Sequence, residues 1–151
     1  MSIVSTEIEI DAPAAAVWAV IMDPLRFDQW VTIHRSVTLL SSEPDVKGAE
    51  MEQVLHLLGL TFKVHWTLAE VRAPRFAEWR GRGPALSHAL IRYNLSKLDD
   101  QHTLFDYTNE FNTPGGPLAQ IANRLVVGSS SEHEARRSLS QLKQLVEHHW
   151  R

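Results

Sequence analysis

The segment from Leu60 to Ala69 alternates without a break. Leu60, Phe62, Val64, Trp66 and Leu68 fall on one side, and Thr61, Lys63, His65, Thr67 and Ala69 on the other. Side chains along a β-strand point to opposite faces in turn, so this period of two predicts a half-buried strand and not a helix. The segment before it alternates less cleanly, with Met51, Gln53, Leu55 and Leu57 against Glu50, Glu52, Val54 and His56. A hairpin turning at Leu58-Gly59 pairs 57 with 60, 55 with 62, 53 with 64 and 51 with 66. Directly opposed residues share a face, so this register brings the two apolar sets together. Asn-Gly or Asp-Gly is the favoured two-residue turn, and Leu-Gly is neither; a four-residue loop keeps the same register.

The flanking sequence continues the sheet. Residues 3–10 alternate, with mixed faces, as a first strand. Asp11-Ala12-Pro13 predicts a helix start, with Asp11 as cap, proline in the first turn, and Val17, Trp18 and Ile21 as the apolar face. Asp23-Pro24 repeats that signal for a short helix toward Trp30. A strand over 75–82 ends at Gly83-Pro84. A hairpin over about 87–111 turns at Asp99-Asp100-Gln101 and pairs Leu95 with Phe105, Tyr93 with Tyr107, Ile91 with Asn109 and Ala89 with Phe111. Its other face carries Arg92, Asn94, Asp106, Thr108 and Glu110, and reads as solvent.

Pro114-Gly115-Gly116-Pro117 then opens a long helical region. Leu118, Ile121, Ala122 and Leu125 lead it, and Ala135, Leu139, Leu142 and Val146 close it at helical spacing. The polar run Gly128–His133 between them is either a break or a polar stripe facing inward. A break is the expectation, because glycine and serine are poor helix formers. One helix cannot cover both faces of such a sheet, so the sheet must curl around it. The predicted fold is α+β and single-domain over 1–151: a curved antiparallel sheet of about six to seven strands wrapped around a long C-terminal helix, with two short helices after the first strand.

Composition removes several classes of function. A net charge of −3 gives no basic field for nucleic acid. With no cysteine there is no disulfide, thiolate metal site or cysteine nucleophile. No stretch reaches the roughly 20 apolar residues that span a bilayer, so no integral membrane association is expected. The N-terminus lacks the pattern of a signal peptide, which makes a cytoplasmic protein the default expectation. The eight histidines include no H-E-x-x-H or comparable spacing. No metal and no cofactor are expected. His56 and His65 fall on the outer face, where Glu52 sits opposite His65 as a candidate surface pair. His34, after Trp30, is expected to be exposed. No G-x-S-x-G elbow occurs.

Ile8 to Trp30 (IEIDAPAAAVWAVIMDPLRFDQW), Val37 to Met51 (VTLLSSEPDVKGAEM), Val71 to Arg80 and Ser138 to Glu147 (SLSQLKQLVE) together resemble the SRPBCC (START-like, birch-pollen-allergen-like) superfamily, nearest its polyketide cyclase/dehydrase branch. The resemblance spans nearly the whole chain and implies a helix-grip fold. It implies no particular chemistry, because such folds host carriers, aromatase/cyclases and other proteins alike. No catalytic motif of the family can be matched residue by residue.

The inward face holds Met51, Gln53, Leu55, Phe62, Val64, Trp66, Trp79, Ile91, Tyr93, Phe105, Tyr107, Asn109 and Phe111. Ligand pockets have this make-up, and so do packed cores; periodicity alone leaves the two open. A dry void of about 300 Å3 would cost roughly 7 kcal/mol, against a typical domain stability of about 5–15 kcal/mol. A real cavity must therefore be wet, polar-lined or filled. The candidate ligand-binding residues are Trp30, Gln53, Trp66, Trp79, Tyr93, Tyr107, Asn109, Ile121 and Leu125, with Trp30 and the short second helix expected to line or gate the mouth. Three functions stay open: a carrier or sensor of a small, largely apolar, lipid- or polyketide-like molecule; a polyketide cyclase/aromatase-type enzyme using the same cavity; and a protein-interaction module with a vestigial cavity. The carrier leads, because the predicted interior lacks a strong acid or base. A homo-oligomer is left open.

Overall fold

The computed structural model describes residues 2–57, 59–112 and 129–150. Strand β1 (Ser2–Ile10) is followed by helix α1 (Ala14–Ile21) and a 3-10 helix (Pro24–Gln29). Strands β2 (His34–Leu39), β3 (Glu50–Leu57), β4 (Leu60–Arg72), β5 (Phe76–Arg82), β6 (His88–Asp99) and β7 (His102–Asn112) come next, with a 3-10 turn (Pro84–Leu86) between β5 and β6. Helix α2 (Ser129–Trp150) closes the described chain. The strands form one antiparallel sheet in the order β1-β7-β6-β5-β4-β3-β2. This is the helix-grip α+β arrangement that the strand count and the single long helix predict. The strand β2 was not anticipated, because its Ser-Val-Thr-Leu core is too short to carry a period by itself.

The predicted registers hold. Leu57 pairs with Leu60, Leu55 with Phe62, Gln53 with Val64 and Met51 with Trp66. Gly59 adopts φ +80°, the left-handed conformation that a tight connection needs and glycine takes without strain. Leu95 pairs with Phe105, Tyr93 with Tyr107, Ile91 with Asn109 and Ala89 with Phe111. Register shifts interrupt the ladders between Leu68 and Glu70 and between Lys97 and Asp99. Such bulges bend a strand and increase its twist, and so curl the sheet.

Local expectations fared unevenly. Asp23 caps the 3-10 helix as predicted, its Oδ1 accepting from the Leu25 N–H at 3.1 Å. Asp11 does not cap α1. That helix begins two residues later, with Pro13 at the capping position and no side-chain bond there. The Asp11 backbone N–H instead donates to Glu147 Oε2 of α2 at 2.8 Å. His65 lies opposite Glu52 in register, yet its Nε2 meets Glu50 Oε1, at 3.1 Å. On the outer face Glu78 is itself buried, gripped by Arg92 Nε at 3.0 Å and by Arg80 at 3.2 Å. Desolvation raises its carboxyl pKa, but the two guanidiniums outweigh that and hold it below the usual range.

The C-terminal half of α2 packs solidly. Leu139, Leu142 and Val146 recur at helical spacing and are at most 2% exposed. With Ile10, Val17, Ile21, Leu68 and Phe105 they belong to one buried cluster. Thr103, also fully buried, closes this end by donating to the Ala12 carbonyl at 2.8 Å. A buried apolar cluster of this kind resists any loss of volume.

Candidate functional site

Under the N-terminal half of α2 the packing opens. A cavity of about 130 Å3 lies between the concave sheet face and the helix. Trp30, Gln53, Trp66, Trp79, Tyr93, Tyr107 and Asn109 all line it, as do Met51, Phe62, Ile91 and Phe111 from the predicted inward face. Of that face only Phe105 is absent from the wall; it belongs to the packed end, with ring centroids 5.5 Å from Tyr93 and 6.5 Å from Tyr107. Ile121 and Leu125 lie outside the described residues.

The polar groups of the wall are organised unevenly. Gln53 is 5% exposed and works as a connector: its Oε1 accepts from Trp66 Nε1–H at 2.9 Å, and its Nε2 meets His34 Nδ1 at 2.9 Å. An indole N–H is donor only, so the amide oxygen must face Trp66 and the amide NH2 must face His34. His34 Nδ1 is then the acceptor, which leaves the ring proton on Nε2. The expectation that His34 is exposed is overturned. It sits on β2 beside β3, half-buried, with its ring 5.7 Å from Phe27. Burial lowers its pKa, and the charge of Asp28 offsets part of that.

Because the folded-state pKa of His34 lies below the ordinary 6.5, the unfolded chain binds more protons at this site as pH falls through that window. The stabilising contribution of neutral His34 is therefore complete above about pH 6.5 and declines below it. His102 behaves oppositely, since the Asp99 carboxylate bonded to its ring raises its pKa. In an NMR titration the His34 ring protons are expected to shift at distinctly lower pH than those of His102. Coincident midpoints would contradict the burial of His34.

Tyr107 and Tyr93 both carry neutral hydroxyls at ordinary pH. Burial pushes the Tyr107 hydroxyl up to about 12, against the opposing bond from Asn109, and raises that of Tyr93 further. Asn109 Nδ2 donates to Tyr107 Oη at 3.3 Å. Three buried polar atoms on the lining side chains have no hydrogen-bond partner: Trp30 Nε1, Trp79 Nε1 and Asn109 Oδ1.

The largest departure from the sequence reading is on α2. The helix is continuous from Ser129 on, so its serine run is helical; Gly128 and the leading Leu118, Ile121, Ala122 and Leu125 lie outside the described residues. Ser131, Glu134 and Ser138 are the inward polar stripe, and all three line the cavity. The loop after the 3-10 helix anchors Glu134 and Ser138: Thr32 Oγ1–H donates to Glu134 Oε2 at 2.5 Å, and the Thr32 N–H donates to Ser138 Oγ at 3.0 Å. Arg137 closes an ion pair on Glu134 Oε1 at 3.3 Å. A carboxylate thus stands on a wall where the sequence suggested no acid. The signal was the three- and four-residue spacing of 131, 134 and 138.

Gly81 shapes the floor. It pairs with Trp66 across β4 and β5. A Cβ there would stand 2.7 Å from Trp66 Cε3 and Cζ3 and 2.8 Å from Val64 Cγ1. The missing side chain is the space that the indole occupies.

Among the described residues no helix is long and apolar enough to cross a membrane, and no group of three His, Asp or Glu side chains could hold a metal. No curated protein matches the chain in sequence. Solved structures do match in fold. A conserved protein from Geobacillus kaustophilus is 17% identical with a TM-score of 0.77, covering 96% of this chain and 95% of its own. An aromatase/cyclase from Streptomyces sp. R1128 is 18% identical with a TM-score of 0.77, at 99% and 96% coverage. A START superfamily protein from Mycobacterium smegmatis is 16% identical with a TM-score of 0.68, at 98% and 96% coverage. At such identities the likeness is one of fold. The family model described as polyketide cyclase/dehydrase and lipid transport matches residues 1–147. The chain therefore belongs to that polyketide cyclase/dehydrase and lipid-transport family, within the SRPBCC superfamily.

Proposed function

We propose that this protein binds a small, largely apolar molecule in the cavity between the sheet and α2, as a carrier or sensor. The observation that carries this reading is the contrast between the two halves of one interior. One end is a cluster of fully buried apolar side chains, whereas the other holds about 130 Å3 of space walled by aromatic rings and a few polar groups. Left dry, a void of that size costs about 3 kcal/mol. Each unpartnered buried polar atom beside it adds about 1–3 kcal/mol. Against a typical domain stability of about 5–15 kcal/mol, a cost of that size is best explained by an occupant. In this reading Trp30, Trp66 and Trp79 supply apolar walls. Tyr93, Tyr107 and Asn109 address the ligand's polar atoms, and Gln53 holds Trp66 in place.

A second reading, a cyclase acting in the same cavity, is favoured by Glu134 alone. There the walls would supply proximity and orientation and the carboxylate a proton acceptor. The two readings separate on whether the bound molecule leaves chemically changed.

Native mass spectrometry of freshly purified protein, followed by solvent extraction, tests the binding itself. A reproducible small-molecule adduct is expected. A bare protein mass, together with tryptophan fluorescence unmoved by toluene, p-cresol or laurate, would overturn the proposal.

A further inference from the structure

The chemistry of the wall narrows the ligand, on the assumption that the cavity binds one at all. Charge is the first restriction. Among the described residues no lysine, arginine or histidine lines the cavity, and its one carboxylate, Glu134, is already held by Thr32 and Arg137. An anion would therefore lose its hydration without gaining a counter-charge, and would stand on the same wall as a carboxylate.

Size is the second restriction. Pockets for drug-sized ligands run to about 300–1,000 Å3, whereas an apolar cavity of about 150 Å3 accommodates benzene. At about 130 Å3 this one is of single-ring size.

The unpartnered atoms are the third. Trp30 Nε1 and Trp79 Nε1 are donors without an acceptor, and Asn109 Oδ1 is an acceptor without a donor. Trp79, Ile91 and Asn109 stand in one row across β5, β6 and β7. Trp79 and Asn109 are thus two strand spacings apart, about 10 Å between Cα atoms, with the apolar Ile91 between them. A purely hydrocarbon occupant would leave all three atoms unpaired. A hydroxyl both accepts and donates, so it can answer an indole N–H or an amide oxygen.

We infer that the cavity takes an uncharged, single-ring molecule carrying a hydroxyl, of the phenol class, in preference to an acyl chain, a carboxylate or a plain hydrocarbon. The ring lies over Ile91 among the aromatic walls, and the hydroxyl pairs with Trp79 or Asn109.

Calorimetric titration of the purified full chain with p-cresol, toluene, benzoate and laurate tests this. Binding of p-cresol is expected to exceed that of toluene by about tenfold, the worth of one hydrogen bond that would otherwise go unmade. Benzoate and laurate are expected to bind more weakly still. In Asn109→Leu or Trp79→Phe the preference for p-cresol over toluene is expected to shrink while toluene binding persists. Equal affinity for toluene and p-cresol, or tighter binding of laurate or benzoate, overturns the phenol assignment and leaves an apolar-binding cavity standing. Failure of all four probes to bind overturns the ligand class and the binding reading together.

Discussion

Phe105→Ala is expected to lower the unfolding free energy by about 3–5 kcal/mol. Phe105 is fully buried, and its ring is the hub between Tyr93 and Tyr107 at the border between packed core and cavity. Removing it loses the transfer free energy of the ring and leaves a hole that the neighbours can only partly close. For a domain of this length that corresponds to a fall in melting temperature on the order of 10 °C. Leu25→Ala, at a position 65% exposed, is the matched control and should change little. Chemical denaturation of both variants checks this, and a Phe105→Ala protein as stable as the parent would mean that the packed end is not packed.

Gly81→Ala is the second large effect, and it acts through function as well as stability. The added methyl would meet the benzo edge of Trp66 at 2.7 Å. Trp66 cannot yield freely, because it is 3% exposed and its N–H is committed to Gln53. Overpacking of this kind costs about 1–3 kcal/mol. Displacing the indole also breaks the Trp66–Gln53–His34 chain, so the near-ultraviolet circular dichroism should change. Trp66→Phe removes the indole atoms that clash and leaves only Val64 Cγ1, at 2.8 Å, so the double variant should be less destabilised than the two single costs summed. Strict additivity would show that Gly81 and Trp66 do not compete for the same space.

What could be read from the residues, and what could not, divides along a physical line. The hairpin registers were legible because period-two alternation on two adjoining strands constrains pairing twice over. A one-residue slip would send Leu55 to the face opposite Phe62, Val64 and Trp66, and the turn at Gly59 selects among the registers that remain. The wall residues on β3 to β7 followed directly from that. The α2 side of the cavity was not legible in the same way. Propensity treats Ser129–Ser131 as a poor helix, and nothing local reports that Thr32, about a hundred residues away, satisfies Glu134 and Ser138. His34 was misread for a similar reason, since its burial depends on β2 lying beside β3 and on the ring of Phe27. The cap at Asp11 failed because the helix starts only at Ala14, and the Asp11 carboxylate faces His102 Nε2, at 3.7 Å, instead. Each miss is a local preference overridden by a long-range partner.

The strand order has a consequence in time. Ser2 pairs with Phe111 and Ile10 with Thr103, so β1 finds its strand partner about a hundred residues downstream. On a ribosome adding about 5–20 residues per second, β1 waits roughly 5–20 s for its partner to be made. During that wait Ile3, Val4, Ile8 and Ile10 form an apolar segment with unpaired backbone. Glu7 and Glu9, on a strand that stays at the sheet edge even when folded, place charge where another nascent chain would otherwise dock. These two glutamates matter most before the protein exists as a fold.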